Sequence, residues 1–143
     1  MTGQTVRDAM VPEPTTLAAS ASAQEAGQRF AESPDVRAVL VRDDDGRLVG
    51  VITRKTLVRE VVARGLDPKA VRAREIAEPP LFTLDASVPL EEAYHTLEDR
   101  DLERVPVVED GRLVGVLSRA VLQRRLAEDD PSAGEADQDT VVL

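Results

Sequence analysis

The sequence predicts an α/β fold of mixed α+β type, built from two copies of one β-α-β-β-α unit packed about a pseudo-twofold axis. Three observations carry this. Residues 6–41 resemble residues 73–108 at a constant shift of 67, with PEPTTLAASASAQEA beside PPLFTLDASVPLEEA and RAVLV beside RVPVV. Beyond a turn the shift becomes 65, and GRLVGVITR (46–54) matches GRLVGVLSR (111–119) almost letter for letter. The change of length falls in the turn, where RDDDG is two residues longer than EDG, and loops tolerate insertion whereas strands do not.

Each element follows from local pattern. In the first copy Ala23, Ala26, Gly27, Phe30 and Ala31 recur at helical spacing, as do Leu90, Ala93, Tyr94 and Leu97 in the second. Ser22 and Ser87 stand where an N-cap is expected. Two β-rich runs follow in each copy, Ala38 to Val41 with Leu48 to Ile52, and Val105 to Val108 with Leu113 to Leu117. Asp45-Gly46 and Asp110-Gly111 between them are the signal of a tight hairpin. A second amphipathic helix comes next, marked by Leu57, Val58, Val61 and Val62 and then by Val121, Leu122 and Leu126. Asp67-Pro68 reads as an N-cap and first helical position opening the connector. The expected divisions are a first repeat over 1–66, a second over 67–127 and an acidic tail over 128–143. One such unit cannot bury both faces of its small sheet, so the two copies are expected to pack on each other.

Composition narrows the function classes. The 143 residues contain no Cys and a single His, His95, which removes thiol chemistry, thiolate metal sites and His clusters. The formal charge is -9, but six carboxylates lie between Glu128 and Asp139 with no Lys or Arg among them, leaving about -3 elsewhere. A phosphate-neutralising basic surface is missing and Trp is absent, so nucleic acid is not an expected partner. The start, MTGQTVRDAM, lacks the pattern of a signal peptide and no run reaches spanning length, so no membrane association and a cytoplasmic location are expected. No nucleophile elbow, P-loop or dinucleotide fingerprint occurs, and the protein is not expected to be an enzyme. Asp43, Asp44 and Asp45 are consecutive, not at the alternating spacing of a calcium loop, and read as a solvated turn.

Two copies of about sixty residues, each ending in an apolar strand, Gly, two apolar residues and Thr or Ser, resemble paired CBS (cystathionine-β-synthase) domains, the Bateman module. ERVPVVEDGRLVGVLSR (103–119) reads like the family's central block, while VRAVLVRDDDGRLVGVITR (36–54) lacks its usual Pro. The resemblance covers roughly residues 4–127. It implies a regulatory module with no resident cofactor. A cleft between the repeats would receive AMP, ADP, ATP or S-adenosylmethionine, with adenine against apolar strand residues, Val39 and Pro106 among them. A Thr or Ser, here Thr53 and Ser118, and an Asp three residues later would hold ribose or phosphate. That Asp is missing: Thr56 and Val121 stand in its places.

The remaining candidates can be read two ways. Thr53 and Ser118 open helices and can simply cap them, or also touch a ligand. Arg54 and Arg119 follow at the positive helix end, either as phosphate ligands or as solvated side chains without partners. Thr16 and Thr83, where the first strand of each copy ends, either line the cleft or are satisfied loop residues. The sequence thus predicts a stand-alone sensor that binds a small anionic adenosyl ligand and signals to a partner protein. The alternative is a ligand-free structural or adaptor module in which dimerisation is the working property. Helix surfaces richer in apolar residues than one sheet can cover predict a homodimer in either case. The tail, polar and acidic, has a composition that stays disordered.

Overall fold

The computed structural model describes residues 3–12, 14–80 and 82–129, with side chains as far as Ala127. The tail expected to be disordered lies outside them from residue 130 onward. Among the described residues no helix is long and apolar enough to cross a membrane.

The chain forms α1 (Val6–Ala9), β1 (Val11–Pro12), β2 (Thr16–Ala18), α2 (Ala23–Glu32), β3 (Ala38–Arg42), β4 (Leu48–Thr53) and α3 (Arg54–Leu57), the last running directly into a π-helical segment, Val58–Val62. There follow α4 (Ala73–Ile76), β5 (Leu84–Asp85), α5 (Leu90–Asp99), β6 (Arg104–Glu109), β7 (Arg112–Ser118) and α6 (Arg119–Asp129). Both predicted β-α-β-β-α units are present. The backbone of α6 runs two residues into the stretch expected to be tail.

Two compact units result, and they are not the contiguous halves of the chain. Among the described residues, one comprises 14–80 with 110–113; the other comprises 3–12, 82–109 and 114–129. The short lead-in helix of each repeat thus joins the unit made by the other repeat. In the first unit Val71, Ala73 and Ile76 complete a core of Leu17, Ala23, Ala26, Phe30, Val39, Val41, Ile52 and Val61. In the second, Val6 and Ala9 complete a core that includes Leu84, Leu90, Leu97, Val105, Val107, Leu117 and Leu122. Repeat in sequence and unit in space are therefore different divisions of the chain.

In each unit a parallel pair stands beside the hairpin. The sheet of the first unit runs β2-β3-β4, with Thr16 opposite Leu40 and Leu40 opposite Val51. The other runs β1-β7-β6-β5, with Val11 opposite Val116. The first unit has a counterpart to β1 in an antiparallel bridge between Val51 and Glu78. Here the lead-in segment lies so close that a Cβ on Gly50 would stand 2.6 Å from the Glu78 carbonyl oxygen, and one on Gly115 would stand 2.7 Å from that of Val11. Glycine at these two positions permits the pairing.

The hairpin turns form as the Asp-Gly pairs predict. Asp110 and Gly111 both have positive φ (53° and 80°), as a two-residue type I′ turn demands. The longer first turn is held by Asp43, whose Oδ1 accepts the N–H groups of Asp45 and Arg47, both at 2.9 Å. Asp43, half-exposed beside the exposed Asp44 and Asp45, thus shapes the solvated turn that the sequence predicts.

Three local expectations are corrected. Ser22 caps α2 through the Glu25 N–H, but α5 starts after Pro89, and Ser87 instead donates its hydroxyl and its N–H to Asp85 Oδ1 at 2.7 and 2.9 Å. Those two donors hold the Asp85 carboxyl below its usual range. This contribution to stability is present above the ordinary carboxylate pKa and is lost as pH falls through the lowered one. Asp67 opens a single Asx-type turn, its Oδ1 accepting the Lys69 N–H, and not a helix. Thr16 begins β2 and Thr83 directly precedes β5, so both stand at strand starts. The helix after the first hairpin widens at Val58–Val62, which buries Val61 but leaves Val58 and Val62 exposed.

The glycines yield a stability prediction. Gly50→Ala and Gly115→Ala each force a Cβ against backbone and are expected to cost about 1–3 kcal/mol, as overpacking does. Gly27→Ala, on α2 with only Leu57 Cδ1 at 4.0 Å from the new methyl, is expected to stabilise by about 0.5–1 kcal/mol through helix propensity. Urea denaturation of the three variants checks both signs.

Candidate functional site

The predicted site residues divide between the units. Thr16, Val39, Thr53, Arg54 and Thr56 lie in the first; Thr83, Pro106, Ser118 and Arg119 lie in the other. Val39 and Pro106 are buried in β3 and β6, and Thr16 and Thr83 are half-buried. His95 is exposed on α5, off the face of Leu90, Ala93 and Leu97 that is buried.

Thr53 and Ser118 end the second hairpin strands and cap the helices that follow, as expected. Thr53 Oγ1 accepts the Thr56 N–H at 3.2 Å, and Ser118 Oγ accepts the Val121 N–H at 3.1 Å. At the first turn the cap is reciprocal, because Thr56 Oγ1 accepts the Thr53 N–H at 3.1 Å. Thr56 is fully buried, so each of its hydrogen bonds matters. Its hydroxyl lies 3.0 Å from that of Thr53 and donates to Glu78 Oε2 at 3.2 Å. A carboxylate only accepts, so the order of protons runs from Thr53 to Thr56 to Glu78. The other oxygen of Glu78 pairs with Arg59, whose guanidinium also meets Glu60. Those two carboxylates raise the Arg59 pKa, Glu60 contributing first.

Glu78 was not legible as part of this turn. It lies 22 residues beyond Thr56, in the connector, and reaches the turn only through its backbone pairing with Val51. The sequence signal was faint: at the repeat shift Glu78 aligns with Val11, a carboxylate against an apolar residue.

Both arginines have partners within the chain, so the reading of a solvated Arg without partners is overturned. Arg54 Nη1 donates to the Val36 carbonyl at 2.6 Å, and Nη2 to those of Pro34 and Phe30 at 3.2 and 3.3 Å. The guanidinium also lies 4.8 Å from the centre of the Phe30 ring. It thereby fastens the loop between α2 and β3. Arg119 does the equivalent for the loop before β6 by other means, pairing with Glu103 and standing 3.6 Å from Asp101.

Arg54→Ala is therefore expected to lower stability by about 1–2 kcal/mol, the range of charge-assisted hydrogen bonds lost near the surface. Arg119→Ala is expected to cost less than about 1 kcal/mol, as exposed ion pairs do. Repeating the denaturation at high salt separates the two: the Arg119 effect fades with screening, whereas the Arg54 effect, made to neutral carbonyls, persists.

The family model for the CBS domain matches twice, at residues 6–63 and 73–128. Hypoxic response protein 1 of Mycobacterium tuberculosis is 33% identical over 130 residues, covering 87% of this chain and 86% of that protein. A crystal structure of Hypoxic Response Protein I with two coordinated zinc ions superposes with a TM-score of 0.71 at 32% identity, over 85% of this chain and 98% of that one. CBSX2 in complex with AMP superposes with a TM-score of 0.67 at 28% identity, over 87% and 97%. The chain belongs to the CBS domain family, as a tandem pair.

Proposed function

We propose that this CBS pair is a regulatory module without catalytic chemistry, binding an adenosine-containing ligand at its strand-to-helix turns and passing occupancy to a partner protein. The observation that carries the reading is the pair of capping hydroxyls, Thr53 and Ser118, at equivalent turns of a fold shared with an AMP complex. Thr16 and Thr83 stand half-buried at the neighbouring strand starts, whereas Val39 and Pro106 are buried in their strands and present no open surface to the base. AMP, ADP, ATP and S-adenosylmethionine are the ligands to try. Zinc, coordinated in the mycobacterial relative, finds less support here, because among the described residues no three His, Cys, Asp or Glu side chains come together as ligands.

A specific surface favours homodimerisation as part of this function. Val58, Val62 and Leu66 are exposed (58%, 70% and 39%) beside an apolar groove of ≈ 390 Å³ between α2 and the π-helical segment, lined by Ala23, Gly27, Ala31, Leu57 and Val61. A second copy of the chain is the proposed occupant. Were dimerisation alone the working property, the module would be an adaptor with idle turns.

Two measurements test these readings. A thermal-shift panel of the four adenosine compounds is expected to raise the melting temperature with at least one, since a ligand of the folded state stabilises by mass action. No shift at millimolar concentration favours the adaptor. Light scattering at tens of micromolar is expected to give a dimeric mass that Val62→Glu reduces, and a monomeric wild type contradicts the dimer.

A further inference from the structure

The family's ribose-binding Asp is absent from both turns, yet the first turn does not lack a carboxylate. We propose that Glu78, delivered from the connector, replaces that Asp as the acceptor for a vicinal diol, so that the first turn recognises a ribose and the second does not. This rests on the reading of the turns as an adenosine site.

Four observations place Glu78 in the role. Its backbone is held on β4 by two hydrogen bonds, Val51 N–H to the Glu78 carbonyl at 2.7 Å and Glu78 N–H to the Val51 carbonyl at 2.9 Å. Gly50 allows the approach. Its Oε2 accepts the hydroxyl of the buried Thr56, the residue standing where the family's Asp stands. Lastly, its side chain is half-exposed at 45%, so the carboxylate is anchored at one side and open at the other.

The hydrogen-bonding capacity suits a diol. A carboxylate offers about four lone-pair sites, and Thr56 and Arg59 each take one. Two remain, and a vicinal diol presents two O–H donors. Because the Thr53 hydroxyl already donates toward Thr56, the chain of hydroxyls ends on an acceptor, and the turn as a whole takes hydrogen bonds from its ligand.

The second turn is the internal control. The same lead-in pairing recurs there with Val11 opposite Val116, so Val11 occupies the place of Glu78, and Val121 that of Thr56. Both members of the polar pair are replaced by valine. One turn has a buried hydroxyl bonded to a carboxylate; its equivalent has no such pair, its carboxylates Glu103 and Asp101 facing Arg119 instead.

Calorimetric titration with AMP and with 2′,3′-dideoxyAMP tests this on wild type, Glu78→Gln and Glu78→Asp. Gln keeps the size of Glu and a donor-acceptor end for Thr56, so folding is preserved. Wild type is expected to prefer AMP by about tenfold or more, the scale of hydrogen bonds to a charged group. Glu78→Gln is expected to lose that preference, and Glu78→Asp, which keeps a carboxylate at the half-exposed position, to keep part of it. AMP binding that Glu78→Gln leaves unchanged or strengthens overturns the role of Glu78 alone. Absence of AMP binding by wild type and both variants overturns the adenosine reading, and the diol role with it.

Discussion

The structure depends on one close backbone contact made twice: the segment after each short lead-in helix pairs antiparallel with the second hairpin strand of the other repeat. Gly50 and Gly115 make it possible, because any side chain there would meet the carbonyl of Glu78 or Val11. Buried backbone groups must be paired, and the contact pairs Val51 with Glu78 on both sides. It also brings Ala73 and Ile76 into one core, and Val6 and Ala9 into the other. Without it each unit would lack both a strand partner and part of its hydrophobic interior.

The same contact shapes the chemistry. A lead-in segment laid along the hairpin sets its own side chain beside the turn that opens the next helix. At the first turn that side chain is Glu78, bonded to the Thr56 hydroxyl; at the equivalent register position of the second, opposite Val116, stands Val11. A duplicated chain has thus kept one architecture while placing a carboxylate beside the capping hydroxyls at the first turn and valines at the equivalent positions of the second. The arginines show the complementary pattern. Arg54 and Arg119 retain one task, holding the loop before the hairpin, although one uses carbonyls and the other carboxylates.

Much of this was legible in the sequence, and the failures have physical causes. The internal repeat, the hairpins at Asp45-Gly46 and Asp110-Gly111, and the caps at Ser22, Thr53 and Ser118 were readable because each rests on neighbours in sequence. Ser87 was misplaced because Asp85 competes for its hydroxyl two residues away and Pro89 starts the helix instead. The π-helical widening at Val58–Val62 rotates the apolar stripe off the core, which a pattern of fixed period cannot register. The exchange of lead-in helices and the arrival of Glu78 at Thr56 are products of long-range pairing, and local spacing carries no trace of them. The partners of Arg54 are likewise main-chain carbonyls, a class of contact that side-chain motifs do not encode.

On the proposal above, the lead-in segment makes the first turn a ribose-binding one. Crystals of the protein grown with AMP test it most directly. Density is expected at the first turn, with both ribose hydroxyls within hydrogen-bond distance of the Glu78 carboxylate. A nucleotide held only at the Ser118 turn, or held at the first turn with its diol directed away from Glu78, would contradict it.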